Sequence, residues 1–204
     1  MKIFKAVLAL LCAMSFSIID INANETVVEN QNEMGYTFEQ NGWEFTLISY
    51  DEMIENLMVE KELTYDQATK MYPDISTKST TQRYLKARRL INVNDEYYPT
   101  VRFYLYANYV DGKIESIIRI HTCDLITKDY YTEESKVFSG ELIVYLDDPQ
   151  TIYFKLIGDF FNHGTMSLSA SSIINLGEHG TVSFSVSNAS KKYIYVNYDE
   201  ILSI

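Results

Sequence analysis

From about residue 80 to the end of the chain, apolar and polar side chains alternate with a period of two, the pattern of half-buried β-strands. The clearest example is Val182, Phe184 and Val186, which alternate with threonine and serine. Turn signals separate eight such segments, at residues 80–93, 100–110, 113–125, 135–146, 151–161, 165–173, 181–187 and 192–198. This arrangement predicts a mainly β protein, an antiparallel β-sandwich of about eight strands.

Two dipeptides predict tight hairpins. Asn41-Gly42 interrupts an alternating stretch at 36–48, and Asp111-Gly112 joins two of the predicted strands. Both favour type I′ turns, because asparagine, aspartate and glycine tolerate positive φ angles. The first dipeptide therefore predicts a small hairpin ahead of the sandwich.

Two short helices are predicted between the hairpin and the sandwich. Ser49 with Glu52 and Thr64 with Gln67 form two capping boxes, and Pro73 ends the second helix. The apolar stripe of the first helix is Met53, Ile54, Leu57 and Met58. Its polar side chains, expected to face water, are Glu52, Glu55, Asn56, Glu60 and Glu62. Because the stripe must be buried, we expect the helices to dock on the sandwich.

The N-terminus has the features of a signal peptide. Two lysines precede an apolar run at 6–19 that is too short to span a bilayer, and Ala23 offers a small residue before a cleavage point. Lipidation of Cys12 is the alternative, but the bulky Leu11 precedes it where a lipidation motif needs a small residue. No later segment is apolar enough to cross a membrane, so we predict a secreted, extracellular protein.

These patterns divide the chain into four parts. Residues 1–23 are the predicted signal peptide, and 24–34 are a mobile acidic leader. Residues 35–76 carry the hairpin and two helices, and 79–204 form the sandwich domain.

Charge and cysteine content narrow the function. Loss of residues 1–23 removes two lysines and one aspartate, so the net charge changes from −11 to −12. An acidic surface repels polyanions, so nucleic acid is not an expected partner. Cys123 is then the sole cysteine, which rules out an intrachain disulfide. Its apolar strand predicts a buried, unreactive thiol.

The one concentration of positive charge spans residues 78–89. Its members are Lys78, Arg83, Lys86, Arg88 and Arg89. These cations could bind an anionic wall polymer or phospholipid headgroups. We favour the interpretation that they protect an outer strand from pairing with another molecule, because lysine and arginine on an edge oppose such pairing.

The stretch "GDFFNHGTMS" at 158–167 places Asp159, Asn162 and His163 within five positions. Alternating strands flank it, so we interpret it as a hairpin in which Gly164 takes a left-handed conformation and Gly158 forms a bulge. A histidine-based metal or catalytic site needs several converging groups. The three histidines fall on different parts of the predicted sheet, so we predict none.

No phosphate-binding glycine loop, zinc-type cysteine pair or catalytic-serine motif occurs, so no cofactor or metal is predicted. A calcium site near Asp147, Asp148 or Asp159 stays open.

The segment 137–190 resembles a group of uncharacterised secreted proteins of low-GC Gram-positive bacteria. In that group a strand ending near "IYF" runs into a "GDF-aromatic-N-x-G-T" hairpin and then into serine- and threonine-rich strands. The resemblance covers roughly residues 80–200 and extends to the capped helical segment. It implies a secreted bacterial protein of all-β fold and carries no activity or functional residue.

We therefore predict a non-enzymatic binding or interaction protein, whose extracellular ligand is a protein or glycan, with cell-envelope carbohydrate as one possibility. The candidate ligand surface consists of Asn162, His163, Tyr104, Tyr106 and Trp43. The alternative is an extracellular hydrolase or metal-dependent enzyme with a loop-built site. Its candidate groups are Asp147, Asp148, Asp159 and His163.

Overall fold

A computed structural model describes residues 34–77, 79–169 and 173–204 of the chain. The described chain forms two antiparallel sheets, two short helices and an N-terminal hairpin, which confirms the predicted β-sandwich class. In chain order the elements are β1 (Thr37–Gln40), β2 (Trp43–Ile48), α1 (Tyr50–Glu60), α2 (Tyr65–Met71), β3 (Gln82–Leu90), β4 (Thr100–Val110), β5 (Lys113–Ile126), β6 (Val137–Asp148), β7 (Thr151–Phe161), β8 (Thr165–Leu168), β9 (Ile174–Asn175), β10 (Glu178–Ser187) and β11 (Lys192–Ser203). The predicted signal peptide, and the predicted leader except Met34, lie outside the described residues.

The strands form a six-stranded and a five-stranded sheet. The six-stranded sheet has the order β1-β2-β3-β4-β5-β9, and the five-stranded sheet has the order β11-β7-β6-β10-β8. The predicted turns at Asn41-Gly42 and Asp111-Gly112 are confirmed, since all four residues have positive φ angles between 50° and 81°. Each of the eight predicted strand segments contains a strand, and the two-residue β9 is an addition.

The main core lies between the two sheets. Trp43 stacks on Phe103 of its own sheet at 5.4 Å and meets Phe154 of the other sheet edge-on at 5.7 Å, measured between ring centroids. Trp43 is fully buried. Its place in the predicted ligand surface is therefore wrong, because strand alternation after the Asn41-Gly42 turn points its indole inward.

The helices cover the outer face of the six-stranded sheet and give the domain a third layer. Both predicted N-caps are confirmed, since the Glu52 backbone N–H donates to Ser49 Oγ at 3.0 Å and the Gln67 backbone N–H donates to Thr64 Oγ1. The reciprocal capping box is confirmed for Thr64 and Gln67. The second hydrophobic cluster contains residues of both the helices and the sheet. Its buried members are Ile48, Met53, Ile54, Leu57, Ala68, Tyr72, Tyr84, Tyr104 and Tyr106.

Glu60 is partly exposed to water, as predicted, but it also contacts the sheet. Its side chain is 26% exposed and forms an ion pair with Arg102 of β4, at 2.5 Å between Oε2 and Nη2. Lys61 forms a second ion pair with Asp124 of β5, at 2.8 Å. The end of α1 lies directly over the sheet, where these ion pairs hold it.

The prediction that the basic cluster protects an edge strand is also wrong. Strand β3 lies between β2 and β4, because the N-terminal hairpin adds two strands beside it. Arg88 instead pairs with Glu44 at 3.3 Å, and Arg89 pairs with Glu200 of β11 at 2.8 Å. Lys78 lies outside the described residues.

The prediction of a hairpin at 162–164 is wrong: β7 pairs with β11 and β6, whereas β8 pairs with β10, so residues 162–164 join two strands that are not neighbours in the sheet. Two details of the predicted glycine geometry also differ. Gly158 forms no bulge with β6: it lies directly opposite Gly140, and a Cβ on Gly158 would come within 2.3 Å of the Ser139 carbonyl oxygen. Gly164 has a φ of 156°, nearer to extended backbone than to the left-handed helical region. The glycine pair is therefore required by close backbone approach under the Phe138 ring.

Candidate functional site

The outer face of the five-stranded sheet carries a row of large side chains. The register places His179 opposite Tyr145, Tyr145 opposite Tyr153, and Tyr153 opposite Ile201. Directly opposed residues of antiparallel strands share a face. These four residues, which we call the outer row, therefore cross β10, β6, β7 and β11, a width of about 14 Å at the usual strand spacing.

Local alternation explains why the outer row points away from the core. Val144 and Leu146 flank Tyr145 and are fully buried, as are Ile152 and Phe154 on either side of Tyr153. Since successive strand residues point to opposite faces, the two tyrosines must lie on the outside.

The rings of the outer row contact one another. Tyr145 and Tyr153 have centroids 5.6 Å apart at an interplanar angle of 50°, and Tyr145 stacks on His179 at 5.5 Å and 29°. Ile201 ends the row and is 58% exposed. The arrangement forms a continuous aromatic and aliphatic surface that can receive a flat apolar face of a ligand.

A depression of about 280 Å³ lies beside the two tyrosines. It is lined by Ile143, Tyr145, Asp147, Tyr153 and Lys155. An acid and a base thus stand next to the aromatic surface, where they can exchange hydrogen bonds with polar groups of a ligand. Apolar walls with a few polar groups are the usual composition of a small-ligand site.

A second depression, of about 220 Å³, contains the arginines of β3. It is lined by Glu39, Gly42, Glu44, Arg88, Arg89, Leu90, Thr100 and Tyr130. Both guanidinium groups already pair with glutamates, and Arg89 also donates to the Gly42 carbonyl. The paired charges hold the hairpin and β11 together and leave little attraction for an anion.

The prediction that Tyr104 and Tyr106 belong to an accessible ligand surface is wrong. They are 0% and 2% exposed. Tyr104 Oη donates to Glu60 Oε1 at 3.2 Å, and Tyr106 Oη donates to Gln82 Oε1 at 3.0 Å. They do point away from the sandwich core, as alternation requires, but the helices cover the face on which they lie.

Asn162 and His163 lie in the exposed loop between β7 and β8, away from the outer row. Asn162 Oδ1 accepts from Lys136 Nζ at 3.3 Å, and the His163 backbone N–H donates to Ser190 Oγ at 3.0 Å. Ser190 lies just beyond the end of β10, whereas His179 lies near its start, so the loop and the outer row are at opposite ends of this strand. Their part in ligand binding stays a prediction.

The groups named for the alternative enzyme are dispersed. Asp148 Oδ1 accepts from the Gln150 backbone N–H at 2.8 Å within a turn, and Asp159 pairs with Lys192 at 3.4 Å. Asp147 lines the depression beside the outer row. Within residues 34–77, 79–169 and 173–204, no three histidine, cysteine, aspartate or glutamate side chains are grouped as metal ligands.

Buried titratable groups lie under the helices. The register between β4 and β5 shifts at Tyr104, which leaves His121 as the extra residue of a β-bulge, fully buried and 5.4 Å from the Tyr84 ring. Burial, with the nearby Arg119 charge, lowers the pKa of His121 from 6.5 to about 4. Tyr84 Oη donates to Asp74 Oδ1 at 2.6 Å. This hydrogen bond attaches the 72–77 segment to the sheet.

Burial also explains two other pKa shifts on this side of the molecule. It raises the pKa of Glu60 even though the Arg102 charge opposes that change. It raises the pKa of the Cys123 thiol to about 12, so the thiol stays protonated at neutral pH. The prediction of a buried Cys123 is confirmed, with 1% exposure.

Sequence reasoning missed Tyr145, Tyr153 and His179. The apolar alternation at 142–146 and 152–156 was recognised, and it implies that the residues in between point outward. Alternation alone does not show which of the two outer faces the helices cover.

The chain matches no protein-family model, and neither a curated protein nor a solved structure matches it. The resemblance to secreted Gram-positive proteins stays a prediction. No helix in the described part of the chain is both long and apolar enough to cross a bilayer.

Proposed function

We propose that the protein is a secreted, non-enzymatic binding protein whose outer row binds a neutral carbohydrate. The observation that carries the proposal is the outer row itself, a contiguous surface of contacting rings on a sheet face that the helices leave open. Contiguous exposed apolar surface on a soluble domain marks interaction sites.

Ring chemistry favours a sugar. The faces of Tyr145 and Tyr153 carry negative partial charge, which attracts the weakly positive C–H groups on the flat face of a pyranose. Asp147 and Lys155 stand beside them and offer an acceptor and donors for hydroxyl groups. The row is wide enough for a short oligosaccharide rather than a single ring.

Charge favours a neutral glycan over an anionic one. The whole chain carries a net charge of −11, and Asp147 lies in the depression itself. A polyanionic wall polymer would meet repulsion at long range, and at the site the charge of Lys155 only offsets that of Asp147.

The test is a glycan array that holds neutral and acidic oligosaccharides, followed by calorimetry on the ligands that bind. Tyr145→Ala and Tyr153→Ala should each weaken binding about tenfold, which corresponds to about 1.4 kcal/mol. Tyr65→Ala is the matched control, because Tyr65 is 53% exposed on α2. Binding to acidic glycans alone, equal loss in the control, or no glycan binding would contradict the proposal.

A further inference from the structure

The four edge strands of the two sheets differ sharply in length. Strands β1 and β8 have 4 residues each and β9 has 2, whereas β11 has 12. Among the described residues, β11 pairs with β7 alone. Short edges offer little template for pairing with another chain, and a long one offers a great deal.

The hydrogen bonds at the end of β11 show which backbone groups face the free edge. The Ile204 N–H donates to the Gln150 carbonyl, on the β7 side, at 3.0 Å. The preceding Ser203 carbonyl accepts from Asn41 Nδ2 at 2.7 Å. Backbone groups alternate between the two sides of a strand. The odd-numbered residues from Tyr195 to Ile201 therefore present their N–H and C=O groups at the edge.

The side chains on this edge are suited to contact. Tyr195 is 53% exposed and Ile201 is 58% exposed, and both lie on the outer face with Asn197 and Asp199 between them. From Tyr195 to Ile201 the strand has no proline, lysine or arginine; its charged residues are Asp199 and Glu200, and Glu200 is paired with Arg89.

We propose that β11 pairs antiparallel with β11 of a second copy of this chain, about a two-fold axis through Tyr198. In that register Tyr195 lies opposite the partner's Ile201, and Asn197 lies opposite the partner's Asp199. Symmetry repeats each contact, so two apolar pairs and two amide–carboxylate pairs form.

Neighbouring registers are less favourable. An axis through Asn197 puts Tyr195 opposite the partner's Asp199. An axis through Asp199 puts two carboxylates opposite each other, which is destabilising. The Asn41 side chain already occupies the Ser203 carbonyl, so pairing ends near Ile201.

Pairing would join two five-stranded sheets into one of ten strands. The outer row of each copy would then continue across the axis, from Ile201 to the partner's Tyr195. The proposal does not require glycan binding, because it depends on the backbone edge of β11 and on Tyr195 and Ile201, of which only Ile201 belongs to the outer row.

Sedimentation velocity of the secreted chain over a wide concentration range is the test. The wild-type chain should form a concentration-dependent dimer, and Ile201→Lys should raise its dissociation constant at least tenfold. Val59→Lys is the matched control, since Val59 is 82% exposed on α1, and it should leave the dimer unchanged.

The double variant Tyr195→Glu/Ile201→Lys tests the register. The introduced opposite charges would face each other across the axis, so the double variant should dimerise more strongly than Ile201→Lys alone. Circular dichroism confirms that each variant is folded. A wild-type chain that stays monomeric would overturn the proposal. So would a dimer insensitive to Ile201→Lys, or a double variant with no recovery.

Discussion

The two outer faces of the sandwich both carry tyrosines, but only one face is covered. On the six-stranded sheet, Tyr84, Tyr104 and Tyr106 lie under the helices and are at most 5% exposed. On the five-stranded sheet, Tyr145 and Tyr153 stay partly exposed. The comparison teaches that a tyrosine row becomes core or surface according to what the chain packs on it, since the strand pattern is the same in both.

The covered face is chemically matched to its cover. The hydroxyl groups of Tyr84, Tyr104 and Tyr106 donate to Asp74, Glu60 and Gln82 respectively. Burial of a hydroxyl without such a partner costs free energy. Asp74 and Glu60 follow or end the helices, so the helical segment supplies the apolar stripe and two of the three acceptors, while Gln82 belongs to β3.

The largest effect should come from a break in the contact between the helices and the sheet. Leu57→Ala removes a fully buried side chain of α1, and we expect it to lower the free energy of unfolding by about 3 kcal/mol. Val59→Ala on the same helix is the control, because Val59 is 82% exposed and should change stability by less than about 0.5 kcal/mol. Urea unfolding measures both, and equal effects would mean that α1 does not depend on its buried stripe.

The second largest effect on the free energy of unfolding should come from acid, which acts on the covered face. The pKa of His121 is about 4 in the folded chain and 6.5 as the ordinary value. The unfolded chain therefore takes up the proton first, and stability falls as the pH drops from 6.5 towards 4. The loss should reach about 2 kcal/mol at pH 5.

His121→Phe isolates this contribution, because phenylalanine keeps the ring beside Tyr84 and cannot titrate. Arg119 and Asp74 are the charged groups that act on His121, and both remain in the variant. Asp74 does not titrate in the pH range of this test. Burial would raise its pKa, but hydrogen bonds from Tyr84 and Ser76 outweigh burial and lower it from 3.8. The free energy of unfolding of each protein is measured at several pH values between 7.5 and 5. An equal dependence on pH in wild type and variant would refute the assignment to His121.

A smaller effect is expected from the ion pairs that hold the end of α1. Arg102→Ala leaves Glu60 and Asp124 close together without the cation between them, and it should cost about 1.5 kcal/mol, since these side chains are only partly buried. Arg102→Lys keeps the charge but not the forked contact with Glu60, so its cost should be lower. Chemical unfolding distinguishes the two, and an equal cost would show that charge plays no part.

The elements of the fold follow from local sequence. Alternation identified the strand segments, Asn41-Gly42 and Asp111-Gly112 identified two turns, and Ser49 and Thr64 identified both helix starts. Each of these signals depends on residues that are close together in the chain, so it can be recognised in a single sequence.

The candidate site does not follow in the same way. Tyr104 and Tyr145 both stand in alternating strands, and only the docking of α1 and α2 distinguishes them. The internal position of β3 also depends on long-range packing. Its neighbour β2 belongs to the N-terminal hairpin, which lies far away in the chain. Long-range packing, not propensity, decides both.

The smallest effect on stability should come from the open face. Tyr153→Thr replaces one strand-favouring residue with another, the β-branched threonine, and removes the ring contact with Tyr145, whose centroid is 5.6 Å away. Such cross-strand pairs contribute about 0.2–1 kcal/mol, so the free energy of unfolding should fall by less than about 1 kcal/mol. Glycan binding should nevertheless weaken about tenfold, because the lost ring belongs to the proposed binding surface. Urea unfolding and calorimetry on the same variant measure the two quantities. A loss of stability as large as that of Leu57→Ala would mean that the open face supports the fold and is not free to bind.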